Sequence, residues 1–400
     1  MLRELIDHSP DLKRLFEEGF QLEWIGGHLV VRHIPYVTIE KKVKYGVLIT
    51  NLRVSNSRAD FDNNHQIYFI GEAPCHADGT PIEALSLNAM SMDLGNGLIA
   101  NFHFSNKPST GYVDYYHKIS RYVEILEHQA LAIDGSVIAR PHLPLKDDSP
   151  DSVFQYFDYN SSRAGINAAN QKLAKQKIGI IGLGGSGSYI LDFVSKTQVA
   201  EIHLFDADVF MTHNAFRAPG AASLEDLNEE LKKVDYHARK YSTMHKHIIP
   251  HAEYITSDNI HLLNDLSFAF LSMDSSEVKE TIIFYLIVHG IPFVDVGMAV
   301  IKVNDQLLGQ VRTTLVTPQQ NDHWRERIST SRADQDEYAT NIQVAELNAS
   351  NAVQAVLMWK KYFGFYQDLT HDFNSVFDIN TGTINNEDQT SICRVYPLSA

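Results

Sequence analysis

Apolar and polar positions change period several times along the chain, and the changes mark its elements. Residues 1–20 place Leu2, Leu5, Ile6, Leu12, Leu15 and Phe16 at helical spacing, which predicts one amphipathic helix. Shorter apolar runs at Leu22–Trp24, His28–Arg32, Tyr45–Leu52 and Gln66–Gly71 predict strands, with Gly26-Gly27 as a turn between the first two. The helical period returns from Gly111 to Leu131, in Tyr112, Tyr115, Ile119, Tyr122, Val123 and Leu126. A small α+β domain with a partly antiparallel sheet is therefore expected over 1–150. His142 to Val153, rich in proline, aspartate and serine, reads as its boundary. A second domain is expected over 155–400, opening with a short helix at Ile166–Lys175.

The second domain alternates strands and helices. Ile178–Ile181 is too short for a helix and reads as a buried strand. Glycines follow at 182, 184, 185 and 187, then a helical stretch from Ser188 to Lys196. The next apolar run, Ile202–Phe205, ends in Asp206-Ala207-Asp208. Leu224–His247 predicts a helix, Ala252–Ile255 a strand, and Ser267–Leu271 a buried strand that delivers Asp274. A helix at Glu277–Gly290, a strand at Ile291–Val296 and a long helix at Asn341–Phe363 complete the pattern. The fold class expected is α/β: a mostly parallel, Rossmann-like sheet with helices on both faces, preceded by the α+β domain. Thr317–Tyr338 is polar and aperiodic, long for a connection in a compact domain, and reads as functional or mobile.

The glycines carry the first chemistry. They let the backbone approach a phosphate, and the helix beginning there directs unpaired N–H groups and partial positive charge towards it. An acid ending the next strand can accept hydrogen bonds from ribose hydroxyls. Gly182, Gly184 and Gly187 match the dinucleotide fingerprint, and Asp206 stands at about the ~20 residues onward that it requires. The bland alternative is a βαβ turn whose glycines serve only tight packing. An NAD(P)-dependent oxidoreductase needs little more than this turn and Asp206. The chain offers more: Asn214, Arg217 and Lys233 follow the acid, and Asp274 ends a later strand. Arg217 and Lys233 can neutralise a triphosphate, and Asp274 can hold Mg²⁺, which prefers oxygen ligands. That set suits attack of a carboxylate on an α-phosphate with pyrophosphate leaving, a reaction catalysed by positioning and charge stabilisation. Surface charge is the plain alternative for Arg217 and Lys233, and a turn cap for Asp208.

Composition narrows the partners. The 400 residues carry a formal net charge of -15, which argues against nucleic-acid backbone binding as the main activity. No apolar run spans a bilayer and the N-terminus lacks a signal-peptide core, so no membrane association and a cytoplasmic location are expected. Cys75 and Cys393 are the only two cysteines, which leaves no four-cysteine zinc site and no disulfide framework. Cys75, His76, Asp78 and His65 are scattered about an Asp78-Gly79 turn and do not read as a metal set.

From about Tyr159 to Tyr366 the sequence resembles the E1-like adenylyltransferases, the ThiF/MoeB group that includes the ubiquitin-activating enzymes. Gly182-Leu183-Gly184-Gly185-Ser186-Gly187-Ser188 is similar to the GxGGxGS nucleotide loop of that family, and Leu204–Asp208 to its acid-bearing strand end. His213-Asn214-Ala215-Phe216-Arg217 resembles the SNLxR motif, Lys233-Val234-Asp235 the lysine-led helix, and Met273-Asp274 the DN motif, with Ser275 in place of the usual asparagine. Ile342–Ala349 resembles the late helix that follows a loop crossing the active site, here about 317–339. The resemblance implies that Gly185 and Asp206 bind ATP, with Asp206 on the ribose. It implies that Asn214, Arg217 and Lys233 contact phosphates, that Asp274 binds Mg²⁺, and that Arg163 reaches a dimer partner's ATP site.

The departures matter as much. Many members of that family carry paired CxxC zinc motifs and a cysteine in the crossing loop; this chain has neither, and offers Ser329-Thr330-Ser331 in the loop. Three acyl routes stay open: direct transfer to a partner's nucleophile, an oxyester on Ser329–Ser331 with His323 as a candidate base, or Cys393 reaching in from the C-terminus. A solvated serine-rich loop is the plain alternative. The implied substrate is the C-terminal carboxylate of a ubiquitin-like protein or of a sulfur carrier. The departures and residues 1–150, read as a docking module, favour a bacterial conjugation system with an E2-like partner, and the resemblance implies a homodimer. Gly111–Tyr116 resembles ThiF-family chains encoded near ubiquitin-like proteins. A non-catalytic scaffold is the third class of function.

Overall fold

A computed structural model describes residues 2–144, 147, 152–274, 277–330 and 342–388. Its chain contacts divide it into two units, 1–149 and 150–400. The class expected from the sequence, an α/β unit preceded by an α+β unit, is the one observed.

The first unit opens with α1 (Leu2–His8) and α2 (Pro10–Glu17). One helix was expected over 1–20, but Pro10 lacks an N–H and disfavours helical backbone at Ser9, so the chain breaks there and restarts with Pro10 in the first turn of α2. The freed Ser9 hydroxyl accepts the Ala59 N–H at 2.8 Å. The strands are β1 (Gln21–Ile25), β2 (His28–Val37), β3 (Val43–Asn51), the hairpin β4 (Arg53–Ser55) and β5 (Arg58–Asp60), then β6 (Gln66–Ile70), β7 (Asn88–Asp93) and β8 (Ile99–Ser105). Six of them form an antiparallel sheet in the order β1-β2-β3-β6-β8-β7. Helix α3 (Tyr115–Leu131), capped by Asp114, buries Tyr115, Ile119, Tyr122, Val123 and Leu126 in the same core as Leu29, Val31, Leu48, Ile67 and Phe104. Lys118 is also on this buried face, fully enclosed, with its Nζ donating to Thr50 Oγ1 at 2.7 Å.

The second unit is built on an eight-stranded sheet. Its strands are β9 (Lys177–Ile181), β10 (Glu201–Phe205), β11 (Ile248–His251), β12 (Phe268–Leu271), β13 (Phe293–Val303), β14 (Gln306–Val316), β15 (Asn374–Asp378) and β16 (Thr383–Glu387). Their order is β11-β10-β9-β12-β13-β14-β15-β16. Pairing is parallel from β11 to β13 and antiparallel from β13 to β16. The connecting helices are α4 (Tyr159–Ala164), α5 (Asn167–Gln171), α6 (Gly185–Val194), α7 (Thr212–Ala215), α8 (Leu224–Asn228), α9 (Lys233–Tyr241), α10 (Glu277–Val288), α11 (Trp324–Arg327) and α12 (Ala345–Tyr362). Ile178, Ile180, Leu204 and Phe270 pack with α6, α9 and α12, whereas Ile181, Phe205 and Leu271 pack with α10. The sheet is thus sandwiched between two helical layers.

Three expectations shift. The helix expected over 224–247 is α8 and α9, because Ser223 and Asp226 close a capping box and Glu230 adopts φ 50°, which ends the first helix. The strand expected at 252–255 lies earlier, at β11, where Pro250 is tolerated because β11 is an edge. The strand at 291–296 begins at Phe293 and runs on to Val303 in a long hairpin with β14. Among the described residues no helix is long and apolar enough to cross a membrane.

Lys118 supplies a pH test. Burial pulls its pKa down from 10.5 to about 8, against a smaller opposing attraction from Asp62. The unfolded chain therefore binds more protons than the folded one between pH 8 and 10, so stability rises with pH across that window. Measured against Lys118→Met, the urea midpoint of the full chain should gain from pH 8 to 10; an unchanged difference would contradict this.

Candidate functional site

The site is assembled where the strand order reverses. β9 leads through α6 to β10 on one side, while β12 returns on the other, and ligands of open α/β sheets bind in the crevice beyond the strand ends at such a point. The glycine turn occupies that position. Gly182 donates its N–H to Phe205 O at 2.9 Å, and Ser272 donates to Ile181 O at 2.8 Å, so the ends of β10 and β12 flank the turn. Gly182 has φ +89°, and a Cβ there would lie 2.5 Å from Ser272 O. At Gly187 a Cβ would lie 1.9 Å from Gly182 O, so this glycine lets α6 start directly against the strand. Gly184 differs: it precedes α6 and has open space where a Cβ would stand. Gly185, the first residue of α6, lies against Asn348.

Asp206 follows β10 and is nearly buried. Its Oδ2 accepts the Leu183 N–H at 2.7 Å, and its Oδ1 accepts the Asp208 N–H at 2.9 Å. One carboxylate therefore joins the glycine turn to the end of the next strand. Lys233, the first residue of α9, places Nζ 3.5 Å from Asp206 Oδ2 and 2.5 Å from Asp208 Oδ2. Asp208 also accepts a hydrogen bond from the Tyr254 hydroxyl. Partial burial pushes the Asp208 carboxyl upward, but the bonds from Lys233 and Tyr254 outweigh it and hold its pKa below the ordinary value.

Asn214 lies in α7, 3% exposed. Its Oδ1 accepts the Met211 N–H at 2.9 Å, and Arg217 N donates to Asn214 O at 3.1 Å. Among the described residues, Asn214 Nδ2, Arg217 Nε and Asn348 Nδ2 are buried donors without partners. His213 titrates low, first through partial burial and then through the charges of Arg217 and Lys233, so these cations share a positive neighbourhood. Asp274 stands two residues beyond Ser272, which runs beside Gly182. Lys279 donates to Met273 O at 3.3 Å and pairs with the fully buried Asp295 at 2.6 Å; Arg312 Nη2 binds the other Asp295 oxygen at 2.5 Å.

The groups brought together here are the glycine turn, the start of α6, and Lys233 beside Asp206 and Asp208, with Gly184 open where a Cβ would stand. Among the described residues no three His, Cys, Asp or Glu side chains group as a metal site. Of the other expected residues, Arg163 is exposed on α4, and Ser329 and Thr330 follow α11, exposed and half-buried. Ser331 and Cys393 lie outside the described residues. His323 is buried, with Nε2 bonded to Leu315 O at 2.9 Å and Nδ1 4.0 Å from Asp322 Oδ1. Sequence reasoning assigned no role to Tyr254, Asn348 or the Lys279–Asp295–Arg312 cluster.

A family model described as the ThiF family matches residues 159–387, and one described as a domain of unknown function, DUF6791, matches residues 10–159. No curated protein matches the chain. Among solved structures the chain is similar to PaaA, at 17% identity over 55% of this chain and 75% of that one, with a TM-score of 0.43. It is also similar to E. coli MccB crystallised with AMPCPP and MccA, at 17% identity over 60% of this chain and 74% of that one, with a TM-score of 0.45.

The Asp208–Lys233 pair has a testable pH signature. A depressed carboxyl pKa stabilises the fold above the unfolded value, about 4, and that contribution is lost as pH falls through the folded value. Asp208→Asn should lower the thermal midpoint at pH 7, and its deficit should shrink towards pH 3.

Proposed function

The chain belongs to the ThiF family, and from that premise we propose that it is an ATP- and Mg²⁺-dependent adenylyltransferase for the C-terminal carboxylate of a ubiquitin-like protein. What supports this reading is that Lys233 lies beside Asp206 and Asp208 at the end of the strand next to the glycine turn, and that Asn214 Nδ2 and Arg217 Nε, on the segment after that strand, are buried without partners among the described residues. An enzyme for a dinucleotide would use the turn and Asp206 but leave those donors without purpose.

In the proposed reaction a substrate carboxylate oxygen attacks the α-phosphorus. The bond to the β-phosphate oxygen breaks, and pyrophosphate leaves. The Gly184–Gly187 backbone and the start of α6 hold the phosphates, and Asp206 accepts from the ribose. Arg217, Asn214 and Lys233 neutralise charge that grows on the leaving group. Lys233 exchanges Asp208 for a phosphate oxygen, so no buried cation is left unpaired in either state. Asp274 would hold the Mg²⁺, which would neutralise phosphate charge. Arg163 serves the neighbouring site of a homodimer.

The acyl group then passes to a nucleophile with loss of AMP. Direct transfer to an E2-like partner, with residues 1–150 as the docking module, and a relay through Ser329, Thr330 or Ser331 are both consistent with the absence of a loop cysteine. A hydroxyl relay needs a base, and His323 is the residue proposed for that role.

Two outcomes test the proposal. Pyrophosphate exchange into ATP, dependent on Mg²⁺ and on a ubiquitin-like substrate, should fall at least ~100-fold in Arg217→Ala, as for loss of a charge-stabilising donor, and to a similar degree in Asp274→Ala; undiminished exchange in both sinks it. Mass spectrometry should show an adduct that resists dithiothreitol and yields to alkaline hydroxylamine if a hydroxyl relay operates, and AMP release without an adduct if transfer is direct.

A further inference from the structure

Helix α12 carries two buried asparagines near its N-terminus, and they differ in one respect. Asn351 has both amide groups paired: Oδ1 accepts from Thr313 Oγ1 at 3.1 Å, and Nδ2 donates to Gly297 O at 2.9 Å. It ties α12 to the β13–β14 hairpin and needs nothing else. Asn348, one turn earlier, is buried as deeply, at 1% exposure. Its Oδ1 accepts from Ser186 Oγ at 3.0 Å, which fixes the amide plane. Its Nδ2 is inaccessible and has no partner among the described residues.

The place of that donor is informative. A Cβ at Gly185 would meet Asn348 Nδ2 at 2.0 Å, so the amide nitrogen sits against the first residue of α6. The start of α6 is the anion-facing end of the glycine turn, where orphan N–H groups and the helix dipole favour negative charge. Packing of α6 against α12 requires no amide here; an alanine would pack without leaving a buried donor unsatisfied. Only the 348 donor, of the two asparagines, lacks a protein partner, and only it adjoins the turn.

We propose that Asn348 is a nucleotide-contacting residue whose Nδ2 donates to a phosphate oxygen held at the start of α6, with Ser186 as the positioning residue that orients it. This rests on the reading of the turn as a nucleotide site. It gives the second helical layer a direct contact with the ligand and makes Gly185 the residue whose missing side chain admits that contact.

The test uses the full-length protein and Asn348→Asp. That variant keeps shape and the acceptor for Ser186 but replaces the donor with a charged acceptor. Titration calorimetry with Mg²⁺ and ATP should show affinity reduced by about tenfold or more, the scale of a hydrogen bond to a charged group. Adenosine binding should be unchanged, while the thermal midpoint of the ligand-free protein should fall, because the new carboxylate is enclosed at a position 1% exposed. Asn351→Asp should lower the midpoint while leaving the ratio of ATP to adenosine affinity unaltered. If Asn348→Asp instead weakens ATP and adenosine alike, Asn348 is structural and the proposal falls. Wild-type ATP affinity in Asn348→Asp also overturns it while sparing the nucleotide reading. Wild-type protein that binds neither ATP nor adenosine overturns that reading and the proposal together.

Discussion

The carboxylate of Asp206 is the constraint on which the site depends. It is almost wholly buried, yet it remains bonded to two backbone N–H groups, Leu183 in the glycine turn and Asp208 beyond its own strand, and it lies beside Lys233. A charge in that position is tolerated because every bond it makes is charge-assisted and its cation is close. The consequence is mechanical as well as electrostatic. The ends of β9 and β10 are locked in register, and the glycines between Asp206 and α6 are held in the one shape that exposes their backbone.

Around that anchor the fold distributes charge asymmetrically. Arg217, Lys233 and the start of α6 supply positive potential on one side of the switch point, while Asp274 sits on the other, beyond β12. Lys279, Asp295 and Arg312 form a buried cluster whose lysine also holds the Met273 carbonyl, so the segment carrying Asp274 is braced from behind. Among the described residues, Asn214 Nδ2, Arg217 Nε and Asn348 Nδ2 are buried donors without partners, as are Trp24 Nε1 and Gln198 Nε2 elsewhere in the chain. Structural amides elsewhere, such as Asn351 and Asn374, are paired by Thr313 and Thr314.

Much of this was legible in the sequence because the βαβ unit is local. The 182–187 turn and Asp206 fall within 25 residues, and their spacing alone fixes which strand ends meet. The helix of 345–362 was legible from its period. The rest depends on distance along the chain or on single-residue breaks. Ser186 and Asn348 are 162 positions apart, and nothing in either residue's neighbourhood announces the other. Tyr254 meets Asp208 through a loop that carries no motif. Strands β14, β15 and β16 went unread because the antiparallel extension is set by tertiary pairing with β13 rather than by a strong local pattern. The division of the N-terminal helix at Ser9-Pro10 and of 224–247 at Glu230 turned on one backbone conformation each, which apolar periodicity does not register.

The central claim is that the turn, Asp206, Asn214, Arg217 and Lys233 form a triphosphate site and not a dinucleotide site. Direct competition at the wild-type protein tests it: a fluorescent ATP analogue bound with Mg²⁺, displaced by ATP or by NADH. The account predicts displacement by ATP, loss of that displacement when triphosphate is replaced by adenosine at equal concentration, and none by NADH. Displacement by NADH with no response to ATP would contradict it.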